Sequence, residues 1–241
     1  MAHSFISPSG HSRWSNCAAS PSLSAMAEEQ PVNVAALRGT INHEAAESFL
    51  YGRSKPKDFL GTVHKVQGHK IVIEQEDLDI IETYTKYIET KVKDIKAELY
   101  LERKFELGEE IHPELYGTAD AVIVAKDYIE IVDLKTGKWK VEPDSSQLKI
   151  YMLGALAEFY EEFGSDKAKV ITTIVQPKVK QSISSHEHDL FALLNWGLTD
   201  LKEAAERCFE PNPIPVAGDW CRFCPAKLDG ICPLFYGEKN E

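Results

Sequence analysis

The sequence predicts an α/β fold, a mixed central β-sheet flanked by helices. Three observations predict it. Hydrophobic periodicity is helical before residue 95, switches toward two from Ala97, and becomes helical again from Asp144. The succession from the run ending at Lys135, through a helix, to the run from Lys169 requires a crossover and therefore a parallel strand pair. At 241 residues, with 43% hydrophobic and 10% aromatic content, the chain can fill one substantial core.

The first thirty residues, rich in Ser, Ala and Pro, read as irregular or weakly helical. "GTINHEAAESFLYG" has helical spacing and a closing Gly, which places His43 in the first turn of a helix. "QEDLDIIETYTKYIETKVKDI" sets Leu78, Ile81, Tyr84, Tyr87 or Ile88, Val92 and Ile95 along one face of a long amphipathic helix. "AELYLERKFEL", "YGTADAVIVA" and "DYIEIVDLK" are β-branched and aromatic runs separated by turns, a three-stranded meander. In the first of these Glu98, Glu102 and Glu106 fall at even spacing and share a solvent-facing side, with an auxiliary ligand role as the alternative for Glu102.

The helix "DSSQLKIYMLGALAEFYEEFG" follows, with Asp144 or Ser145 as N-cap and Gly164 as its stop. "KVITTIVQP" is a fourth strand ended by Pro177. A last long helix, "HDLFALLNWGLTDLKEAAERCFE", breaks into "PNPIPVAG". That break divides residues 1–208, a core carrying Cys17 near its start, from residues 209–241, a cysteine-bearing segment packed on it.

The formal charge is −11, from 27 basic and 38 acidic residues. It excludes a broad basic surface, so any grip on nucleic acid must be local. No stretch is long and apolar enough for a membrane span, and the N-terminus lacks the apolar run of a secretory signal, which predicts a cytoplasmic protein with no membrane partner.

Asp120 opens one apolar strand, while Asp133 and Lys135 end the next and share its face. Two carboxylates converging at a sheet end make an oxygen-rich site suited to Mg²⁺ or Mn²⁺, and an imidazole from His43 would bias it toward Mn²⁺. Such a metal lowers the pKa of bound water and neutralises charge on phosphoryl oxygens. Gln147 and Tyr151, four apart, stack on one helix face just after the Asp-x-Lys strand.

The ordered set His43, Gly117-x-x-Asp120, Asp133-x-Lys135 and Gln147-x-x-x-Tyr151 resembles the RecB-like branch of the PD-(D/E)XK nuclease superfamily, over His43 to about Gln176. The resemblance implies a restriction-endonuclease-like core and a metal held by His43, Asp120, Asp133 and the backbone carbonyl of Leu134. It further implies that Lys135 positions the attacking water, and that Gln147 and Tyr151 act near the scissile phosphate. Asp stands where many relatives have Glu before the x-Lys.

Cys221, Cys224 and Cys232 form a C-x-x-C turn with a third thiol after a short loop. Four thiolates satisfy zinc or an iron-sulfur cluster, so the fourth comes from Cys17 or Cys208. Cys17, in irregular chain free to reach across, is favoured; Cys208 suits a packed helix. One N-terminal and three C-terminal cysteines resemble the iron-sulfur subset of RecB-like nucleases, which implies a [4Fe-4S] cluster, with structural Zn²⁺ as the alternative. Either would staple the two ends of the chain and restrict the unfolded state.

Lys138, Trp139, Lys140, Lys149, Lys178 and Lys180 surround the predicted site and form the expected contacts to DNA. Together these readings predict a metal-dependent DNA exonuclease acting on single-stranded or resected ends, 5′ to 3′ by the resemblance, alongside a recombination or annealing protein. The acidic exterior is compatible with a ring-like homo-oligomer around a basic lumen. Two rivals are a catalytically silent DNA-binding or assembly module and a structure-specific endonuclease of the same superfamily.

Overall fold

A computed structural model describes residues 4–28, 33–108, 110–163 and 168–235. Short helices α1 (His11–Trp14) and α2 (Ser20–Met26) open the chain, preceded by a single turn at Pro8–Gly10. Helix α3 spans Val34–Leu50 and is capped by Asn33, whose side chain accepts from the Ala35 and Ala36 amides. It therefore starts earlier than the expected "GTINH", and His43 lies in its middle rather than its first turn. The apolar residues Val34 to Leu37 gave no start signal, because the cap is a single Asn without a following acid.

Strands β1 (Val63–Val66) and β2 (His69–Val72) form a separate antiparallel hairpin that the sequence reading did not anticipate. Its turn residues Gln67 and Gly68 both adopt positive φ, 48° and 79°. Helix α4 (Gln75–Ile95) buries Leu78, Ile81, Tyr84 and Ile88, as its periodicity predicted. Strands β3 (Glu98–Glu106), β4 (Tyr116–Ala125) and β5 (Tyr128–Leu134) form the expected meander.

Helix α5 (Ser146–Phe163) then crosses over to β6 (Lys169–Val175), which pairs parallel to β5. The predicted stop at Gly164 lies outside the described residues. A fifth strand, β7 (Ile183–His188), pairs antiparallel with β6 and was not expected, since "ISSHEH" is polar and sits at the sheet edge. Helices α6 (Leu190–Trp196) and α7 (Lys202–Arg207) join through a π-turn at Gly197–Leu201, and α8 (Pro225–Leu228) follows the cysteine turn.

The main sheet has the order β3-β4-β5-β6-β7 and is mixed, with helices on both faces. Ile129, Ile131, Val122 and Val170 pack with Leu148, Met152 and Leu156 of α5 and with the α6–α7 pair. On the opposite face Val132, Leu134, Ala121 and Ile123 pack with Ala45, Ala46 and Phe49 of α3 and Ile81, Tyr84 and Ile88 of α4. Alternation of side chains along the strands divides the two cores. The fold is thus α/β with a mixed five-stranded sheet. No helix among the described residues is long and apolar enough to cross a membrane.

One polar clamp sets the position of α3. Asp77 is fully buried and accepts from the Glu74 amide at 2.9 Å, from Asn42 Nδ2 at 3.2 Å and from Arg38. A buried carboxylate must be compensated, so this network fixes α3 against the start of α4. His43, next to Asn42, is aimed toward the sheet.

Candidate functional site

The site forms at the C-terminal end of β5, where parallel β5 and β6 both end. Open α/β sheets place ligands at such strand ends. The β4–β5 register ends at Ala121 and Val132, so Asp120 and Asp133 occupy the next facing positions. Leu134 donates its N–H to Asp120 Oδ2 at 2.8 Å, and the Lys135 amide continues the ladder to Val175 at 2.9 Å. Both acids are thereby tied to the rigid centre of the sheet.

His43 Nδ1 lies 3.3 Å from the same Oδ2 of Asp120. Burial pulls the imidazole down, but the charge and hydrogen bond of Asp120, with Asp133 behind it, outweigh that and raise His43 to about 9. Burial likewise works against the charged form of Asp120, and His43 overcomes it, leaving the carboxyl below its usual range. Asp133, 2% exposed, is raised to about 6 by burial, with repulsion from Asp120 adding to the effect and Lys135 opposing it. Burial is the largest single influence on Lys135 and lowers it, but the charge and hydrogen bond of Asp133, with Asp120 behind it, together raise it further, so the amine stays protonated.

A chain of polar groups leads away from Asp133. Lys135 Nζ lies 3.1 Å from Asp133 Oδ1 and donates to Gln147 Oε1 at 3.2 Å, and Gln147 Nε2 donates to the Tyr151 hydroxyl at 3.1 Å. Burial, opposed in part by the Gln147 bond, keeps Tyr151 protonated far above neutral pH. Gly117 explains itself here. A Cβ at this position would stand 2.7 Å from Pro8 Cγ and 2.8 Å from Tyr151 Cε1, so the N-terminal turn and the α5 tyrosine both close over bare backbone.

Glu102 corrects one expectation. Although exposed, it does not simply share a solvent face with Glu98 and Glu106. The register pairs Leu101 with Ala121 and Arg103 with Ala119, leaving Glu102 opposite Asp120, and its φ is +46°. That left-handed residue interrupts the pleat. One ligand atom each from His43, Glu102 and Asp120 lie within 4.8 Å of one another, close enough for a shared cation. Burial and then Asp120 raise the Glu102 carboxyl to about 7. Buried Tyr84 lines a small cavity with His43, Glu102 and Asp120, and its hydroxyl is raised well above its usual range, by burial first and then by Asp120.

Gln176 was not singled out from sequence. It is 1% exposed, donates to the carbonyls of Gly137 at 2.9 Å and Trp139 at 2.7 Å, and accepts from the Val141 amide at 3.0 Å. It thereby pins the loop after Lys135. Its position just after an apolar strand gave no distinguishing signal.

The predicted DNA contacts divide. Lys140 pairs with Glu142 at 2.7 Å and Lys178 with Glu76 at 3.0 Å, and Lys149 lies 4.8 Å over the Trp196 ring. Lys138 and Lys180 are exposed, and Trp139 is 74% exposed.

At the two ends of the chain, α2 packs on α8. Cys17 accepts from the Val216 amide at 3.4 Å, and its thiol is raised, first by burial and further by Cys221 and Cys224 nearby. Cys224 and Cys232 share one small cluster with Ala226. Cys208 donates to the carbonyls of Ala204 at 3.4 Å and Trp14 at 3.7 Å inside the main core, where burial raises it to about 12.

Fold and site together define an α/β protein with a charged His-carboxylate-lysine centre at the carboxyl end of its central strand. The chain belongs to the family described as protein of unknown function (DUF2800), whose model matches residues 3–234. It is also similar to a solved structure titled "Crystal structure of SSO0001", at 18% identity and a TM-score of 0.35, covering 69% of this chain and 77% of that one.

Proposed function

We propose that the protein is a divalent-metal-dependent deoxyribonuclease, an exonuclease of the RecB-like PD-(D/E)XK type with a restriction-endonuclease-like core. The observation that carries this reading is the meeting of His43, Asp120 and the Asp133–Lys135–Gln147–Tyr151 chain at one strand end. The donor set of imidazole and carboxylates fits Mn²⁺ or Mg²⁺. His43, Asp120, Asp133 and the Leu134 carbonyl would hold the ion, with Glu102 within reach of the same place. When bound, the ion supplies an acidified water and neutralises charge on the phosphoryl oxygens.

The chain's own residues do the rest. Lys135, held by Asp133 and Gln147, presents an ammonium group whose remaining donor can orient a water or a phosphate oxygen. Gln147, aligned by Tyr151, fixes the direction of that ammonium. Asp133, raised to about 6 in the metal-free chain, would be held ionised by the cation and would serve as a ligand that also anchors Lys135. The cysteines of the two chain ends would hold a [4Fe-4S] cluster, or Zn²⁺ in its place, as a structural staple.

Labelled single-stranded DNA incubated with protein and Mn²⁺ tests the reading. Wild type should shorten it from an end, and Asp133→Asn should leave it intact. Cleavage of covalently closed circles would replace the exonuclease with an endonuclease, and an intact linear substrate would leave only a binding module.

A further inference from the structure

Six arginines occur in the chain, and four of them, Arg38, Arg53, Arg103 and Arg207, are paired with carboxylates. Among the described residues the other two, Arg13 and Arg222, have no carboxylate within 4.0 Å. Both line the same cleft of about 420 Å³, between the N-terminal turn and the cysteine turn. In a protein of net charge −11, two uncompensated guanidinium groups facing one space are a directed positive feature.

The rest of the lining suits a nucleotide strand. Ser7, Ser9 and Ser12 bring hydroxyls, Trp220 and Phe223 bring rings, and Asp219 is the single acid among the described lining residues. Phe223 is 68% exposed, and Arg222 lies 5.2 Å over its ring and 4.9 Å over that of Trp139, itself 74% exposed. Guanidinium forks match phosphate oxygens, and exposed aromatic faces stack on the faces of unpaired bases. The cleft also borders the site described above. Pro8, between two of the lining serines, packs on Gly117 as Tyr151 does, and Trp139 belongs to the loop that Gln176 holds after Lys135.

We propose that this cleft binds single-stranded nucleic acid, with backbone phosphates on Arg13 and Arg222 and an unpaired base on Phe223 or Trp139. Its relation to cleavage rests on the nuclease reading, because the cleft would lead the strand toward Lys135. Binding itself does not depend on that reading.

The test is fluorescence anisotropy of a labelled oligothymidylate on the full chain carrying Asp133→Asn, which prevents degradation, compared with the same chain carrying Arg222→Glu or Phe223→Ala. Both added substitutions are at exposed positions, and unchanged thermal midpoints verify the fold. Arg13 is left alone because its Nη1 donates to the Phe223 carbonyl at 3.3 Å. Arg222→Glu should weaken binding about tenfold or more and reduce the slope of log affinity against log salt by about 1. Phe223→Ala should weaken it about tenfold with the slope unchanged. A duplex of the same length should compete poorly.

Equal affinities in all three proteins, or a duplex competing as well as the single strand, would overturn the proposal. If wild type leaves DNA intact while the variants lose binding, this proposal stands and the nuclease reading falls. If wild type degrades DNA and the variants bind as their parent does, the reverse holds.

Discussion

The His43 imidazole and the Asp120 carboxylate stand 3.3 Å apart, Nδ1 to Oδ2, and the same Oδ2 accepts the Leu134 amide at 2.8 Å. One carboxylate oxygen therefore joins α3, β4 and β5. The pair also controls the charge state of the centre, since Asp120 is the main reason His43 stays protonated despite its burial. Asp120→Asn keeps an acceptor for Leu134 but removes the charge. The His43 titration midpoint, about 9 in the parent, should then fall by well over one unit, as desolvation is left less opposed. An NMR titration of the imidazole checks this, and an unmoved midpoint would count against the coupling. The same variant should lose at least about tenfold in Mn²⁺ affinity.

Stability of the metal-free protein should depend on pH with a definite sign. His43 is raised from 6.5 to about 9, so its contribution is full below about 6.5 and is lost as pH rises through 9. Asp133 and Glu102 are raised to about 6 and about 7, so the native state holds their protons more tightly than the unfolded chain does. They too lose stability as pH rises, between about 4 and 7. Asp120 is lowered and acts only at the acid end, its contribution vanishing as pH falls through its folded value. With chelator present, thermal midpoints should decline from about pH 5 to pH 9. Mn²⁺ competes with the same protons, so it should stabilise the protein more at pH 8 than at pH 5. A chelated midpoint that rises over this range contradicts the assignment.

The sequence made some of this legible and hid the rest for identifiable reasons. Strands β3 to β5 and helix α4 carry strong periodicity, and the polar residues of β4, β5 and α5 could be located because their spacing within regular elements fixes their faces. Glu102 was misplaced by that same logic. Even spacing puts Glu98, Glu102 and Glu106 on one side only if the strand is regular, and a φ of +46° breaks the regularity at the residue that matters. β7 and the β1–β2 hairpin are short, polar and partly exposed, so little burial is written into their sequence. Arg222 was invisible because its significance lies in lacking a carboxylate partner, a property of the packed chain.

Gly117→Ala should damage the site without touching a charged group. The new Cβ would fall 2.7 Å from Pro8 and 2.8 Å from Tyr151, both held by rings and backbone rather than by flexible chain ends. Overpacking of this kind destabilises by about 1–3 kcal/mol. Displacing Tyr151 also disturbs its bond to Gln147, and through Gln147 the aim of Lys135. Urea unfolding should show the loss of stability, and turnover should fall while Mn²⁺ affinity, which depends on other residues, stays within a few-fold. An alanine variant with parental turnover would mean that Tyr151 does not position this chain.

Cys17 and Cys208 are both buried thiols near the same end of the molecule, yet their surroundings assign them different tasks. Cys208 spends its proton on two carbonyls within the main core, and burial there holds it neutral to about pH 12, conditions suited to packing. Cys17 is also raised, first by burial, but it lies near Cys221 and Cys224, and the Val216 N–H that its sulfur accepts opposes the burial, so its place among the other thiols rather than its own charge state suits it to share a metal. Protein purified without oxygen should therefore lose iron and sulfide, or zinc, on Cys17→Ala and retain the parental content on Cys208→Ala. Thermal unfolding should follow the same order, because the proposed ligation by Cys17 would close nearly the whole chain into a loop, whereas Cys208→Ala removes only a small buried atom. Equal metal content in both variants would remove the staple between the chain ends, and the reverse order would make Cys208 the fourth ligand.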